Sequence, residues 1–211
     1  MLLTLPMGPL GANCYLWENG TDAAAVDPSD AEAVQSVLKE KNLRLTDVFL
    51  THRHFDHLAG AAKLRQETGC AVWIHPLDAD GLKSARASHA DRMPGTFVPC
   101  EPTALYEDGD TVEAAGLRLS VLHTPGHTAG GVTLVSDAEG LAFTGDTVFF
   151  EGVGRTDLAT GNMRALMESL SRILKLPEDT VLYPGHGEPT TVAHESAFNP
   201  MLHYRGHSWF N

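Results

Sequence analysis

Cysteine is scarce. Cys14, Cys70 and Cys100 are the only three in 211 residues, an odd number with no Cys-x-x-Cys pair. That excludes a disulfide-stapled scaffold and predicts reduced thiols, serving as small core residues in a cytoplasmic protein. Basic residues are also few: 15 Lys and Arg stand against 27 Asp and Glu, a net charge of −12. Nucleic-acid binding rests on neutralising phosphates, and an anionic membrane repels such a surface, so neither partner is expected. No apolar run reaches the roughly 18 residues of a membrane-spanning helix. The first residues, MLLTLPMG, carry no Lys or Arg before the apolar stretch and read as no signal peptide. Repeats and low-complexity tracts are missing too. The apolar share, 43 %, is close to an ordinary globular chain at about 45–50 %. One domain over 1–211 is predicted; the sequence does not fix an oligomeric state.

The pattern mixes short strands with helices. NCYLW (13–17) and AAAVD (23–27) read as strands joined at Asn19-Gly20, a two-residue hairpin signal. Ser29 and Glu32 have the spacing of a capping box, which predicts a helix over 30–41. VFLT (48–51) and AVWI (71–74) read as strands, and 57–68 as a helix. Residues 84–102 carry little pattern and predict a surface loop. Residues 104–150 are strand-rich. Leu166, Leu170, Ile173 and Leu174 place a helix at 163–175. A strand at 180–183 and a short helix at 189–197 complete the chain. Sheets packed together and covered by helices fit this order.

Four polar clusters follow four of these strands. Thr51-His52-Arg53-His54-Phe55-Asp56-His57 packs four potential metal ligands into six residues. His52 and His54, two apart, share one side of an extended backbone. His127 (LSVLHTPGHT), Asp146 (LAFTGDT) and His186 (TVLYPGHG) repeat the arrangement, each beside glycine. Imidazole and carboxylate are oxygen and nitrogen donors suited to zinc. Seven donors exceed one tetrahedral ion and suit two, with one carboxylate shared. Singly, His127 or His186 is more simply a polar residue at a sheet end, and Asp146 a turn former. Four clustered polar groups in the first segment gain nothing from packing, so the set as a whole reads as a metal site. His75, His89 and His194 are read as ordinary structural residues, and His123, four residues before His127, as either a support for a ligand or simply a buried residue. Asp27, in a VDP turn after a strand, is a candidate to orient a ligand imidazole.

With His52-x-His54-x-Asp56-His57 followed in order by His127, Asp146 and His186, the chain resembles the metallo-β-lactamase-fold superfamily over nearly its whole length. The resemblance implies an α+β fold, a four-layer αββα sandwich of two mixed sheets flanked by helices. It implies one metal on His52, His54 and His127, a second on Asp56, His57 and His186, and Asp146 bridging them. Both ions would be divalent, zinc first, with iron or manganese chemically tolerable. Flavodiiron members have Glu where this chain has His54, which favours hydrolysis over oxygen reduction.

TPGHTAGG (124–131), FTGDTVF (143–149), GVGRTD (152–157) and YPGHG (183–187) are similar to the compact bacterial branch of the glyoxalase II, or hydroxyacylglutathione hydrolase, group. That likeness implies a thioesterase that cleaves a small-molecule thioester such as lactoylglutathione by a metal-bridging hydroxide, with Asp56 orienting it. Longer members carry a C-terminal helical domain that contacts glutathione; with 211 − 186 = 25 residues after His186, none is expected here. Arg155 is the candidate cation for an acidic substrate, with an ion pair to Asp157 as its simpler role. Tyr204, Arg205, Trp209 and Phe210 are candidates to cover the pocket. Three rivals share the motifs. A mononuclear iron persulfide dioxygenase would use His52, His127 and Asp146. A lactonase would keep the hydrolysis and change the substrate. A non-enzymatic module is expected to lose ligands, and all seven are present.

Overall fold

A computed structural model describes residues 1–8, 10–93 and 96–203. Two six-stranded sheets lie face to face. The first runs β1 (Leu2–Met7), β2 (Ala12–Asn19), β3 (Asp22–Val26), β4 (Arg44–Phe49), β5 (Ala71–Ile74), β6 (Ala104–Leu105), in that spatial order. β1 to β3 are antiparallel and β3 to β6 parallel. Parallel neighbours need crossovers; α1 (Ala31–Lys41) lies between β3 and β4, α2 (Phe55–Leu58) and α3 (Ala61–Thr68) lie between β4 and β5, and the long segment 75–103 joins β5 to β6. The second sheet begins as an antiparallel meander of β7 (Thr111–Ala114), β8 (Leu117–His123), β9 (Val132–Ser136) and β10 (Leu141–Gly145). The ribbon β11 (Val148–Phe149) and β12 (Gly152–Val153) and then α4 (Met163–Ile173) follow. β13 (Val181–Pro184) next lies parallel to β10, with β14 (Thr190–Thr191) at the edge and α5 (Val192–Phe198) behind.

Alternation along the strands feeds different layers, as the period of two requires. Cys14, Leu16, Ala23, Ala25, Val48 and Leu50 face α1 and α3, meeting Val34, Leu38 and Leu64. Their neighbours Tyr15, Ala24, Val26 and Phe49 face the second sheet, meeting Leu119, Val121, Leu134 and Phe143. Behind that sheet Val135, Ala142 and Leu182 pack on Leu170 and Ile173 of α4 and Val192 of α5. Two mixed sheets flanked by helices form the expected αββα sandwich.

Local details depart from the sequence reading. Glu32 N and Ala33 N bond to Asp30, not Ser29, so the capping box does not form and Asp30 caps α1. The Asn19–Asp22 pairing makes Gly20-Thr21 the hairpin loop, one residue later than expected, because Gly20 takes the positive φ at its first position. The helix over 57–68 is two pieces. Gly60 donates to the Pro28 carbonyl so closely that a side chain there would meet backbone at residues 28–31. The described residues of 84–102 form no strand and contain a 3₁₀ turn at Ala90–Arg92. β1 (Leu2–Met7) is a strand the sequence reading did not delimit; Pro6 is tolerated because β1 is an edge. Cys14 and Cys70 are buried core thiols; Cys100 is half-buried against the same layer. No described helix is long and apolar enough to cross a membrane.

Candidate metal centre

Four strand ends converge at one edge of the sandwich. β4 leads into the 51–57 segment, β8 toward His127, β10 into Asp146 and β13 into His186. His52, His54 and His127 each offer a ligand atom, all within 4.8 Å of one another; Asp56, His57 and His186 do the same. His54 Nδ1 lies 2.8 Å from His127 Nε2. Asp146 stands between the triads. Its Oδ2 is 3.4 Å from His127 Nε2 and 3.7 Å from His186 Nε2, and its Oδ1 is 3.5 Å from His57 Nε2. Asp56 Oδ2 is 3.3 Å from His186 Nε2 and 3.6 Å from His57 Nε2. All seven sequence candidates thus meet in one cluster.

The ligand rings are aimed by their far nitrogens. His57 Nδ1 donates to Asp27 Oδ2 at 3.0 Å, turning Nε2 toward Asp56 and Asp146. Asp27 also accepts from Thr51 N at 2.7 Å and Thr51 Oγ1 at 2.5 Å, which fixes the start of the motif loop. His127 Nδ1 donates to the Arg155 carbonyl at 2.8 Å. Such outer partners set tautomer and ring orientation at metal sites. Gly185 lets Asp146 and His57 come together, for a Cβ at 185 would run into both.

Several polar groups in this cluster have no protein partner. His52 Nε2, His57 Nε2 and Asp146 Oδ1 are buried without a hydrogen bond. Orphaned buried polar atoms are costly, and neutral imidazole lone pairs beside carboxylates are a cation's donors, so the residues present fit a pair of metal ions. The electrostatics agree. Burial, then the neighbouring imidazoles, pushes His52 well below the ordinary histidine range and His54 down to about 2, so both are neutral donors. In the second triad burial opposes charge on His57, yet Asp146 and Asp27 outweigh it and raise the ring to about 10. Burial would raise Asp56, but the His186 hydrogen bond and His57 hold it down at about 2. The hydrogen bond to Asp56 raises His186. The carboxylate half of the site therefore demands positive charge.

A cavity of about 460 Å³ opens onto the cluster, within the usual span of small-molecule sites. His54, Asp56, His127, Asp146 and His186 form one wall; Phe55, Met93, Phe149 and Leu158 are its apolar lining. Arg155 also reaches it, but its guanidinium is engaged by Asp157 in a bidentate, exposed pair with both contacts at 2.6 Å. Tyr204, Arg205, Trp209 and Phe210 lie outside the described residues.

Sequence reasoning missed the residues that hold the loops. Asn13 Nδ2 donates to Pro184 O and Gly187 O, and Tyr15 to Pro184 O, pinning the His186 turn to the first sheet. Asp78, wholly buried, accepts from Arg53 N, Thr128 Oγ1 and Gly130 N and joins the motif loop to the His127 turn. His89, read as structural, lines the cavity.

Residues 7–186 match the metallo-beta-lactamase superfamily. Hydroxyacylglutathione hydrolase GloC of Haemophilus influenzae is 32 % identical over 203 residues, covering 94 % of this chain and 96 % of that one. Among solved structures, BLEG-1 B3 metallo-beta-lactamase superposes with a TM-score of 0.90 at 33 % identity, covering 96 % of this chain and 99 % of that one. TTHA1623 in a di-iron-bound form gives 0.85 at 35 %, covering 94 % and 99 %.

Proposed function

Because the chain belongs to the metallo-β-lactamase superfamily, a family of metal-dependent hydrolases, we propose that it is a dinuclear hydrolase of thioesters, with hydroxyacylglutathiones the leading substrates. The observation that carries this reading is Asp146, in contact with His127 of one triad and with His57 and His186 of the other. His52, His54 and His127 would hold one divalent ion, Asp56, His57 and His186 the second, and Asp146 both; zinc is the preferred ion. Bound there, the pair lowers the pKa of a water and polarises a carbonyl oxygen.

The chain's own groups do the rest. Asp56, at the cavity wall, accepts a hydrogen bond from the attacking water and aims it. Phe55, Phe149 and Leu158 exclude bulk water from the acyl group. Asp56 and Asp146 are the only carboxyl groups among the described lining residues, and both belong to the cluster. Among the described lining residues no carboxyl group is left free to protonate a leaving amine. A thiolate, with a pKa of about 8.5, leaves without one, which supports a thioester over an amide. The likeness to GloC supports the same substrate class. The intact second triad favours two ions over persulfide oxidation at a single iron on His52, His127 and Asp146. In this reading the enzyme is cytosolic and meets a small molecule rather than nucleic acid or membrane. The test is hydrolysis of lactoylglutathione by metal-loaded protein, abolished by a chelator and restored by added zinc. Survival of the thioester, or hydrolysis indifferent to the chelator, overturns the proposal.

A further inference from the structure

The segment 84–93 contributes His89, Arg92 and Met93 to the cavity lining, none of them a metal ligand. It is tied to the motif loop by that loop's own intervening residues. Arg53 Nε donates to Ala87 O at 3.0 Å, and Arg53 Nη1 reaches Asp80 Oδ1 at 2.9 Å. Phe55 N donates to Ser88 O at 3.0 Å. Ser88, wholly buried, bonds back to Ser84 and Ala85. The turn that follows is therefore fixed relative to the ligands His52, His54, Asp56 and His57.

At the end of this segment the backbone makes an expensive choice. His89 has φ +62°, ψ +13°, the left-handed conformation, which strains a residue that carries a Cβ. Glycine would adopt it freely. The ring is what this position gains. It lies 5.2 Å, centroid to centroid, from the ligand ring of His54. Its Nε2 is covered and has no hydrogen-bond partner. Three residues on, Arg92 is exposed and lines the same cavity.

The charge here runs against the rest of the molecule. The chain carries −12, yet the cavity lining includes Arg92 and Arg155, and its two carboxylates belong to the metal cluster. Arg155 is neutralised by Asp157, whereas Arg92 forms no ion pair among the described residues. Burial first, then the guanidinium charges of Arg92 and Arg53, push the His89 ring below the ordinary histidine range, with Asp91 acting against them, so the ring is neutral. An unpaired guanidinium at the mouth of a cleft attracts anions, and it pairs with a carboxylate in a two-pronged geometry.

We propose that the 84–93 turn is the substrate-recognition element, with Arg92, seated beside the His89 ring, binding a carboxylate carried by the substrate's thiol portion. This rests on the thioesterase reading and names its substrate class: acidic thioesters rather than neutral ones. The turn would perform, from within this fold, the task of a separate thiol-binding domain.

The test compares lactoylglutathione with the uncharged lactoyl thioester of N-acetylcysteamine on the metal-loaded enzyme. Wild type prefers the acidic substrate. Arg92→Gln and His89→Gly each lower that preference in kcat/KM, the arginine change by about tenfold or more, as expected for a charge-assisted contact, and through KM. Arg118→Gln, an exposed arginine outside the cavity, leaves the preference unchanged and controls for net charge. Calorimetric binding of the inert thioether S-methylglutathione keeps the inference separate from the reaction. If wild type hydrolyses neither thioester the hydrolase reading fails, while weaker thioether binding by Arg92→Gln still supports the subsite. An unchanged substrate preference and unchanged thioether affinity in both variants overturn it.

Discussion

Asp27 lies outside the lining of the cavity, yet the site depends on it. One carboxylate accepts from His57 Nδ1 and from both Thr51 donors, so it sets a ligand ring and the first turn of the motif together. Asp27→Ala frees His57 to rotate and leaves the buried Thr51 N–H unpaired. Metal affinity should weaken about 10–100-fold, measured by competition with a chromophoric chelator, with both ligand triads still present. Unchanged affinity would mean that the His57 ring is held by packing alone. The seven ligands were legible in the sequence because chemistry of this kind needs ionisable side chains, and their spacing is dense. Asn13 and Asp78 were not. Their partners are chiefly backbone groups and hydroxyls far away in the chain, as with Asn13 and the 184–187 turn, and no local pattern announces such a bond. His89 was misread because a lone histidine in an unpatterned loop carries no signal until the backbone folds it over His54.

At the scale of elements, apolar alternation placed most strands and the glycines placed most turns. What slipped were boundaries decided by tertiary contact. α2 and α3 separate at Gly60 because residues 28–31 press on it, a fact written in neither segment. The sheets are also joined in a way the sequence did not show. His75, after β5, stacks on His123, at the end of β8, with ring centroids 4.4 Å apart and planes 4° apart. Burial, then the His123 ring, lowers His75 to about 4. In the unfolded chain it takes up a proton near 6.5. Between those values the unfolded state binds the extra proton, so stability falls as pH drops from about 6.5 to about 4. Thermal unfolding across that range should show a shallower loss for His75→Gln than for wild type. Parallel curves would show that the stacked pair contributes nothing to acid sensitivity.

For the whole molecule, the architecture explains why the site lies where it does. Two mixed sheets meet over a shared apolar layer, and the loops leaving β4, β8, β10 and β13 all emerge at one edge. Each strand end contributes little alone; together they gather three carboxylates, counting Asp27, and five imidazoles around buried, unpartnered nitrogens. A cluster that needs cations is unfavourable without them, so metal binding and folding stability are coupled. The most direct measurement is anomalous diffraction from crystals of the zinc-loaded protein, recorded above and below the zinc edge. The account predicts two anomalous peaks about 3.5–4 Å apart, one among His52, His54 and His127, the other among Asp56, His57 and His186, with Asp146 touching both. A single peak, or two that Asp146 does not span, would contradict it.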